Sequence, residues 1–292
     1  MKKSAPPLSL SLRKLREKLP NYLKLMRMEK PQGSLLLFFP CVFGYTLAGD
    51  FNLKISVLFL ICSILMRGTG CIINDIADRD FDKHVKRTKD RPITSGKVSV
   101  REAIILAISI SISILSLLIA LQFLPFESLI IAISSIILVI IYPFCKRFTY
   151  FPQAILGLTF NIGALVGWRV IEPLNTTAIL LYIGLIFWTL GYDTIYALSD
   201  AQDDKTIGIK STALYFKEKT PLFVSSCYTV FSLILFIIGY LENLSLYYHI
   251  FMLLASSHML MQILKVSKGN YNAIFRSNIL TGMIIWLGFI VK

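Results

Sequence analysis

Apolar stretches of about twenty residues recur along most of this 292-residue chain, and that recurrence restricts its possible folds more than any other feature. They fall at about 33–49, 53–73, 103–123, 126–144, 152–170, 176–197, 221–241, 244–264 and 273–291. A hydrocarbon layer roughly 30 Å thick is crossed by about 20 apolar residues in a helix. Within that layer each backbone N–H and C=O must be paired internally, so isolated spans of this length are helical. The expectation is an all-α polytopic membrane protein with nine transmembrane helices. With 55% hydrophobic and 16% charged residues, a soluble enzyme around one buried core is excluded. No linker or shift in composition divides residues 31–292, which read as a single nine-helix domain.

A net charge of +13 would suggest nucleic acid as partner for a soluble chain. Here the cations are explained by topology instead, and no nucleic-acid partner is expected. With a cytoplasmic N-terminus, 27 of the 30 Lys and Arg residues fall on the cytoplasmic side, leaving Lys54, Arg169 and Lys292 outside. A miscounted helix would scramble that parity, so the asymmetry supports both the count and the orientation. Residues 1–30 form a basic segment in which Leu8, Leu12, Leu15 and Leu19 recur at helical spacing among Arg13, Lys14, Arg16 and Lys18. This pattern suits an amphipathic helix on an anionic lipid surface. The basic region is far too long for a signal peptide, and no transit-like presequence is seen, so a bacterial inner membrane is expected. The five cysteines lack metal-ligand spacing and read as small core residues.

Two links are long, 74–102 and 198–220, and the chain's acidic residues are concentrated around them. In the first, Asn74, Asp78 and Asp82 stand at i, i+4 and i+8, on one helical face, with Asp75 one position round. Like charges at that spacing repel, so a bound cation is expected. Carboxylates with an amide oxygen are hard ligands suited to Mg2+. In the second, Asp200 and Asp204 are again i and i+4, with Asp193 and Tyr196 expected earlier on roughly the same stripe. Asp193 lies inside the expected membrane boundary, where an ionisable group marks a functional site. Two acidic clusters on one side of a bundle would hold two Mg2+ ions against a diphosphate, with Arg67, Arg79, Arg87, Arg91, Lys146 and Lys210 as the basic shell. The chain carries no phosphate-loop motif and no nucleophilic Ser or Cys with a partner His. A diphosphate leaving group on a membrane-soluble chain fits these residues best.

At these positions the sequence resembles the UbiA superfamily of intramembrane aromatic prenyltransferases. The family's first motif, Asn-Asp-x-x-Asp-x-x-x-Asp, is matched at Asn74, Asp75, Asp78 and Asp82, and its second at Asp200 and Asp204. Residues 27–40, 71–99, 142–153 and 192–212 are similar to the branch that acts on 4-hydroxybenzoate in ubiquinone biosynthesis. Glu29 and Gln32 depart from the family pattern, where Asp and Ile would stand.

The resemblance implies a nine-helix bundle around a central cavity, capped on the cytoplasmic side by the two motif segments. It also implies Mg2+-dependent transfer of a polyprenyl group from polyprenyl diphosphate to the carbon ortho to the phenol of 4-hydroxybenzoate. The metal ligands would be Asn74, Asp75, Asp78, Asp82, Asp200 and Asp204. Tyr142 and Tyr196 are candidates to face an allylic cation, with interfacial tyrosines as the other reading. Arg147, Arg27 or Arg67 could grip the acceptor's carboxylate, and Asp193 could hydrogen-bond to the phenol or take its proton. Rival readings are another branch of the superfamily, acting on haem or a naphthoate, and a transporter with a carboxylate-lined vestibule.

Overall fold

The computed structural model describes residues 10–83, 85, 88–121 and 124–292. They form twelve α-helices: α1 Leu10–Leu25, α2 Gln32–Ala48, α3 Leu53–Asp82, α4 Val100–Ala120, α5 Phe126–Phe148, α6 Pro152–Arg169, α7 Thr176–Ala197, α8 Ala201–Thr206, α9 Thr212–Phe216, α10 Thr220–Leu241, α11 Leu246–Val266 and α12 Tyr271–Ile290. Among the described residues nine helices have 17 residues or more, and they occupy the nine positions expected from the apolar stretches. Seven helical segments are long and apolar enough to cross a membrane, while α2 is a shorter apolar helix of 17 residues. Helix α6, 18 residues long, carries Gln153, Asn161 and Arg169.

The polar groups of α6 are used inside the bundle. Asn161 Nδ2 donates to the Leu185 carbonyl and to Thr189 Oγ1 on α7, and Gln153 Oε1 accepts from the Thr212 amide. Hydrophobicity falls in α6 because its neighbours α2, α5 and α7, rather than lipid, surround it. The outer helices show the opposite pattern: Ile104, Ile108, Ile112 and Ile119 on α4, and Ile130, Ile133, Ile137 and Ile140 on α5, are exposed. Such rows suit a lipid solvent. The core is aromatic, with Trp188 stacked on Phe231 at 5.7 Å and Phe43 edge-on to Phe289 at 5.4 Å.

One boundary differs from the sequence expectation, and one expected stripe is broken at a boundary that was expected. Helix α3 does not stop at 73 but runs to Asp82, 30 residues in all. At 1.5 Å per residue it is about 45 Å long, more than the hydrocarbon core requires, so it is long enough for its last turns to extend beyond an apolar layer. Asparagine 52 caps its start by accepting from the Ile55 amide. Helix α7, in contrast, ends at Ala197, and a turn at 198–200 separates it from α8. Asp193 and Tyr196 are therefore not on one continuous stripe with Asp200 and Asp204.

Helices α2 and α6 meet backbone to backbone. A Cβ on Gly167 would fall on the Cys41 carbonyl, one on Gly44 on the Ala164 carbonyl, and one on Gly163 within 2.6 Å of Cys41 Sγ. Gly163 and Gly167 are a small-xxx-small pair, the spacing that lets membrane helices pack closely where no hydrophobic drive separates protein from lipid. Because the obstructing atoms of Gly44 and Gly167 are main chain, the helices themselves must part. Gly44→Ala or Gly167→Ala should destabilise the folded protein by about 1–3 kcal/mol, read as a lower thermal midpoint in detergent. Gly70→Ala, whose Cβ would meet nothing within 4 Å, should leave the midpoint unchanged.

Candidate active site

The last three turns of α3 bring Asp75, Asp78 and Asp82 together, at 0%, 2% and 6% exposure. Such burial is tolerable only if the charges are compensated. Arg27 Nη2 donates to both oxygens of Asp75, at 2.7 and 3.0 Å. Arg91 Nη1 reaches Asp82 at 2.6 Å and Asp75 at 3.1 Å. Lys146 Nζ lies 2.5 Å from Asp78 Oδ2, which also accepts from Asn74 Nδ2 at 2.9 Å. Burial pulls the Arg91 guanidinium down, but Asp75 and Asp82 outweigh it and hold its pKa above the ordinary value. Arg91 remains charged at any working pH.

The C-terminal end of α5 joins the two acidic segments. Besides the Lys146–Asp78 pair, Arg147 Nη2 donates to the Ala77 carbonyl of α3 at 2.7 Å. The Lys146 carbonyl in turn accepts from the Lys210 amide at 2.9 Å, and Lys210 Nζ donates to the Phe148 carbonyl. So the segment carrying Asp200 and Asp204 is tied to the same helix end that holds the α3 carboxylates. Tyr142, one turn earlier on α5, has both Asp78 and Asp193 within electrostatic reach.

Deeper in the bundle, Arg67 shares its surroundings with Tyr142, Asp193 and Tyr196. Each is half-buried, enclosed by protein on most sides with some surface accessible. Arg67 Nη1 donates to Cys71 Sγ at 2.7 Å, and its guanidinium lies 5.9 Å from the Phe160 ring centre. Tyr196 packs on Phe275 of α12 with ring centres 4.7 Å apart.

Chemically, the donor set consists of carboxylates and one amide, suited to a hard divalent cation. Among the described residues no group of three or more His, Cys, Asp or Glu side chains closes up enough to hold a metal ion. The α3 carboxylates face cations instead, but Asp78 Oδ1 is buried without a hydrogen-bond partner. An orphaned carboxylate oxygen there is what a missing cation would leave, so the residues fit Mg2+.

Not every expected residue converges. Arg79 pairs with its exposed neighbour Asp80, away from the motif face. Lys210 lies 5.3 Å over the Tyr150 ring. Arg147 is committed to the Ala77 carbonyl and flanked by Phe144 and Phe81 at 4.8 and 5.1 Å. Arg27 is taken by Asp75. Arg87 lies outside the described residues. Two contributors went unmarked in the sequence reading: Cys71, whose i, i+4 spacing from Arg67 could have revealed it, and Phe275, which comes from a distant helix. A cavity of about 580 Å³ lies at the opposite end of the bundle, lined by Trp168, Glu172, Glu242 and Lys292 among others, and contains none of these groups.

Residues 37–288 match the UbiA prenyltransferase family. The chain is 39% identical over 279 residues to the mitochondrial 4-hydroxybenzoate polyprenyltransferase of Drosophila pseudoobscura pseudoobscura, covering 92% of this chain and 70% of that one. It is 36% identical over 283 residues to the 4-hydroxybenzoate octaprenyltransferase of Coxiella burnetii, covering 95% and 98%. Its fold is similar to the apo structure of a UbiA homolog from Aeropyrum pernix K1, with a TM-score of 0.75, 23% identity and coverage of 89% and 97%. A UbiA homolog from Archaeoglobus fulgidus bound to GPP and Mg2+ gives 0.66 at 18% identity, covering 91% and 99%.

The shared cations of Asp75 make a stability prediction. Breaking a buried pair outright costs roughly 3–5 kcal/mol, but Arg91 stays near Asp75 when Arg27 is removed. Arg27→Ala should therefore cost about 2 kcal/mol, and adding Asp75→Asn should recover most of it. Thermal unfolding of the two variants in detergent checks the pair.

Proposed function

The chain belongs to the UbiA prenyltransferase family, and from that footing we propose that it transfers a polyprenyl group from polyprenyl diphosphate to 4-hydroxybenzoate. The product is 3-polyprenyl-4-hydroxybenzoate, an intermediate of ubiquinone biosynthesis. Relatives covering most of the chain carry the names of enzymes of this activity. The observation that carries the site assignment is the meeting of both acidic segments at the end of α5, above a half-buried Arg67 and Asp193.

Asn74, Asp75, Asp78, Asp82, Asp200 and Asp204 are the proposed Mg2+ ligands. Mg2+ held there would neutralise charge on the diphosphate and make it a better leaving group. Lys146, Arg91 and Arg27, now paired with the motif carboxylates, are close enough to turn towards phosphate oxygens. The bond from the prenyl C1 to the diphosphate oxygen breaks, and the aromatic faces of Tyr142 and Tyr196 stabilise the allylic cation. Enclosure by the bundle keeps water from trapping that cation.

On the acceptor side, Arg67 is the arginine proposed for the carboxylate. Among the described residues no carboxylate makes a salt bridge to it, whereas Arg27 pairs with Asp75 and Arg147 is held by a carbonyl. Asp193 then accepts the phenol's hydrogen bond, enriching the ring as its ortho carbon attacks. The new C–C bond forms, the proton on that ring carbon passes to the departing diphosphate, and aromaticity returns.

For the setting, we propose that all nine long helices cross a bacterial inner membrane with the acidic segments cytoplasmic, on the strength of the Lys and Arg asymmetry. Of the basic segment 1–30, residues 1–9 lie outside the described residues; on the rest, exposed Leu19, Leu23 and Met28 beside exposed Arg16, Lys24 and Lys30 would meet the lipid surface, while Lys18 ties α1 to Glu102 of α4 and Leu25 is buried against Ile72.

Membranes given labelled polyprenyl diphosphate and 4-hydroxybenzoate should form prenylated benzoate with Mg2+ and none after chelation. Product from a naphthoate or haem acceptor instead would reassign the branch. Asp78→Ala and Asp200→Ala should each lower turnover on the order of a hundredfold or more, and full activity in either would refute the metal ligands. Arg67→Ala should raise KM for 4-hydroxybenzoate by roughly 10- to 100-fold, the worth of a charge-assisted contact.

A further inference from the structure

Gly33 stands in the first turn of α2 and is buried. Its φ is not in the left-handed region, so the backbone does not require glycine there. Glycine inside a helix costs about 1 kcal/mol relative to alanine, and its presence therefore calls for a packing reason. The reason is on α3. A Cβ at Gly33 would stand 2.5 Å from Arg67 Nε, 3.2 Å from Nη2 and 3.3 Å from Cζ. The Nε–Nη2 edge of the guanidinium thus faces the bare Cα of Gly33. Cys71 Sγ accepts from Nη1, and the Phe160 ring of α6 stands beside it.

We propose that Gly33 is a positioning residue that determines acceptor specificity: its missing side chain is the seat of the Arg67 guanidinium, and that seat selects a ring bearing a carboxylate. This rests on the assignment of Arg67 to the acceptor carboxylate. A guanidinium grips a carboxylate through two parallel N–H···O bonds, which demand a fixed plane as well as a fixed distance. A methyl group at Gly33 pushes that Nε–Nη2 edge back by about an ångström, which displaces the N–H groups from their aim while leaving the charge present. The obstructed atoms are the end of a flexible side chain, so the fold survives and the aim is lost.

The test is a comparison of acceptors in the full-length enzyme: 4-hydroxybenzoate against the uncharged 4-hydroxybenzamide. In Gly33→Ala, kcat/KM for the benzoate should fall about tenfold, mainly through KM, as for the loss of one charge-assisted contact. The amide's kcat/KM and the KM for polyprenyl diphosphate should not change, so the preference for the charged acceptor falls about tenfold. Equal loss for both acceptors, or a preserved preference, overturns the proposal. Arg67→Ala separates the two layers. If it leaves the preference intact, the carboxylate assignment is wrong; if it abolishes the preference while Gly33→Ala keeps it, only the role of Gly33 is wrong. Should Gly33→Ala lower folded yield, the same change in the Arg67→Ala background decides: with no guanidinium to displace, it should restore yield and thermal midpoint, and continued loss refutes the seat.

Discussion

Three carboxylates within two turns of α3, nearly removed from solvent, set the terms for everything around them. Such a group is unstable in a low-dielectric bundle unless cations are brought to it, and α3 supplies none on that face. The chain delivers them from three other places: Arg27 from the turn between α1 and α2, Arg91 from the link before α4, and Lys146 from the end of α5. These contacts fix how the segments at this end of the bundle meet. They also leave one oxygen of Asp78 unanswered, which makes the arrangement receptive to a further cation.

That division explains which parts were readable in the sequence. Lengths of apolar residues follow directly from solvent thickness, so the nine long helices appear where the stretches lie. The stripe of Asn74, Asp78 and Asp82 was readable because side chains three and four apart share a face whatever the tertiary structure. Arg91 and Lys146 were expected in the basic shell and Arg27 as a carboxylate binder, but their pairing with the motif carboxylates was not readable, since all three approach from other elements and many nearby Lys and Arg residues look alike in sequence. Arg79 shows the difficulty: adjacent to the motif, it points to Asp80 at the surface. The end of α7 at Ala197 was readable from where the apolar stretch stops; spacing did not show that the turn there, where Ser199 Oγ and the Asp200 amide donate to carbonyls of the last turn, takes Asp200 and Asp204 off the stripe of Asp193 and Tyr196. Gly33 was invisible for the same reason as those pairings, because its meaning is a guanidinium 34 positions later.

Depth separates two kinds of charge in this molecule. At the end of α3 and α5 the groups are hard and paired, and in the proposed function their cations would exchange partners with a phosphate. Arg67 sits two turns further in, with a thiol and an aromatic ring as neighbours and no carboxylate salt bridge among the described residues. Asp193, Tyr142 and Tyr196 share its surroundings without a salt bridge among the described residues, and a bound carboxylate would gain more there than at the mouth, where Arg27 and Arg91 are already paired. The charge near the guanidinium comes from Asp193, and the surface its edge rests on is the backbone of α2 at Gly33.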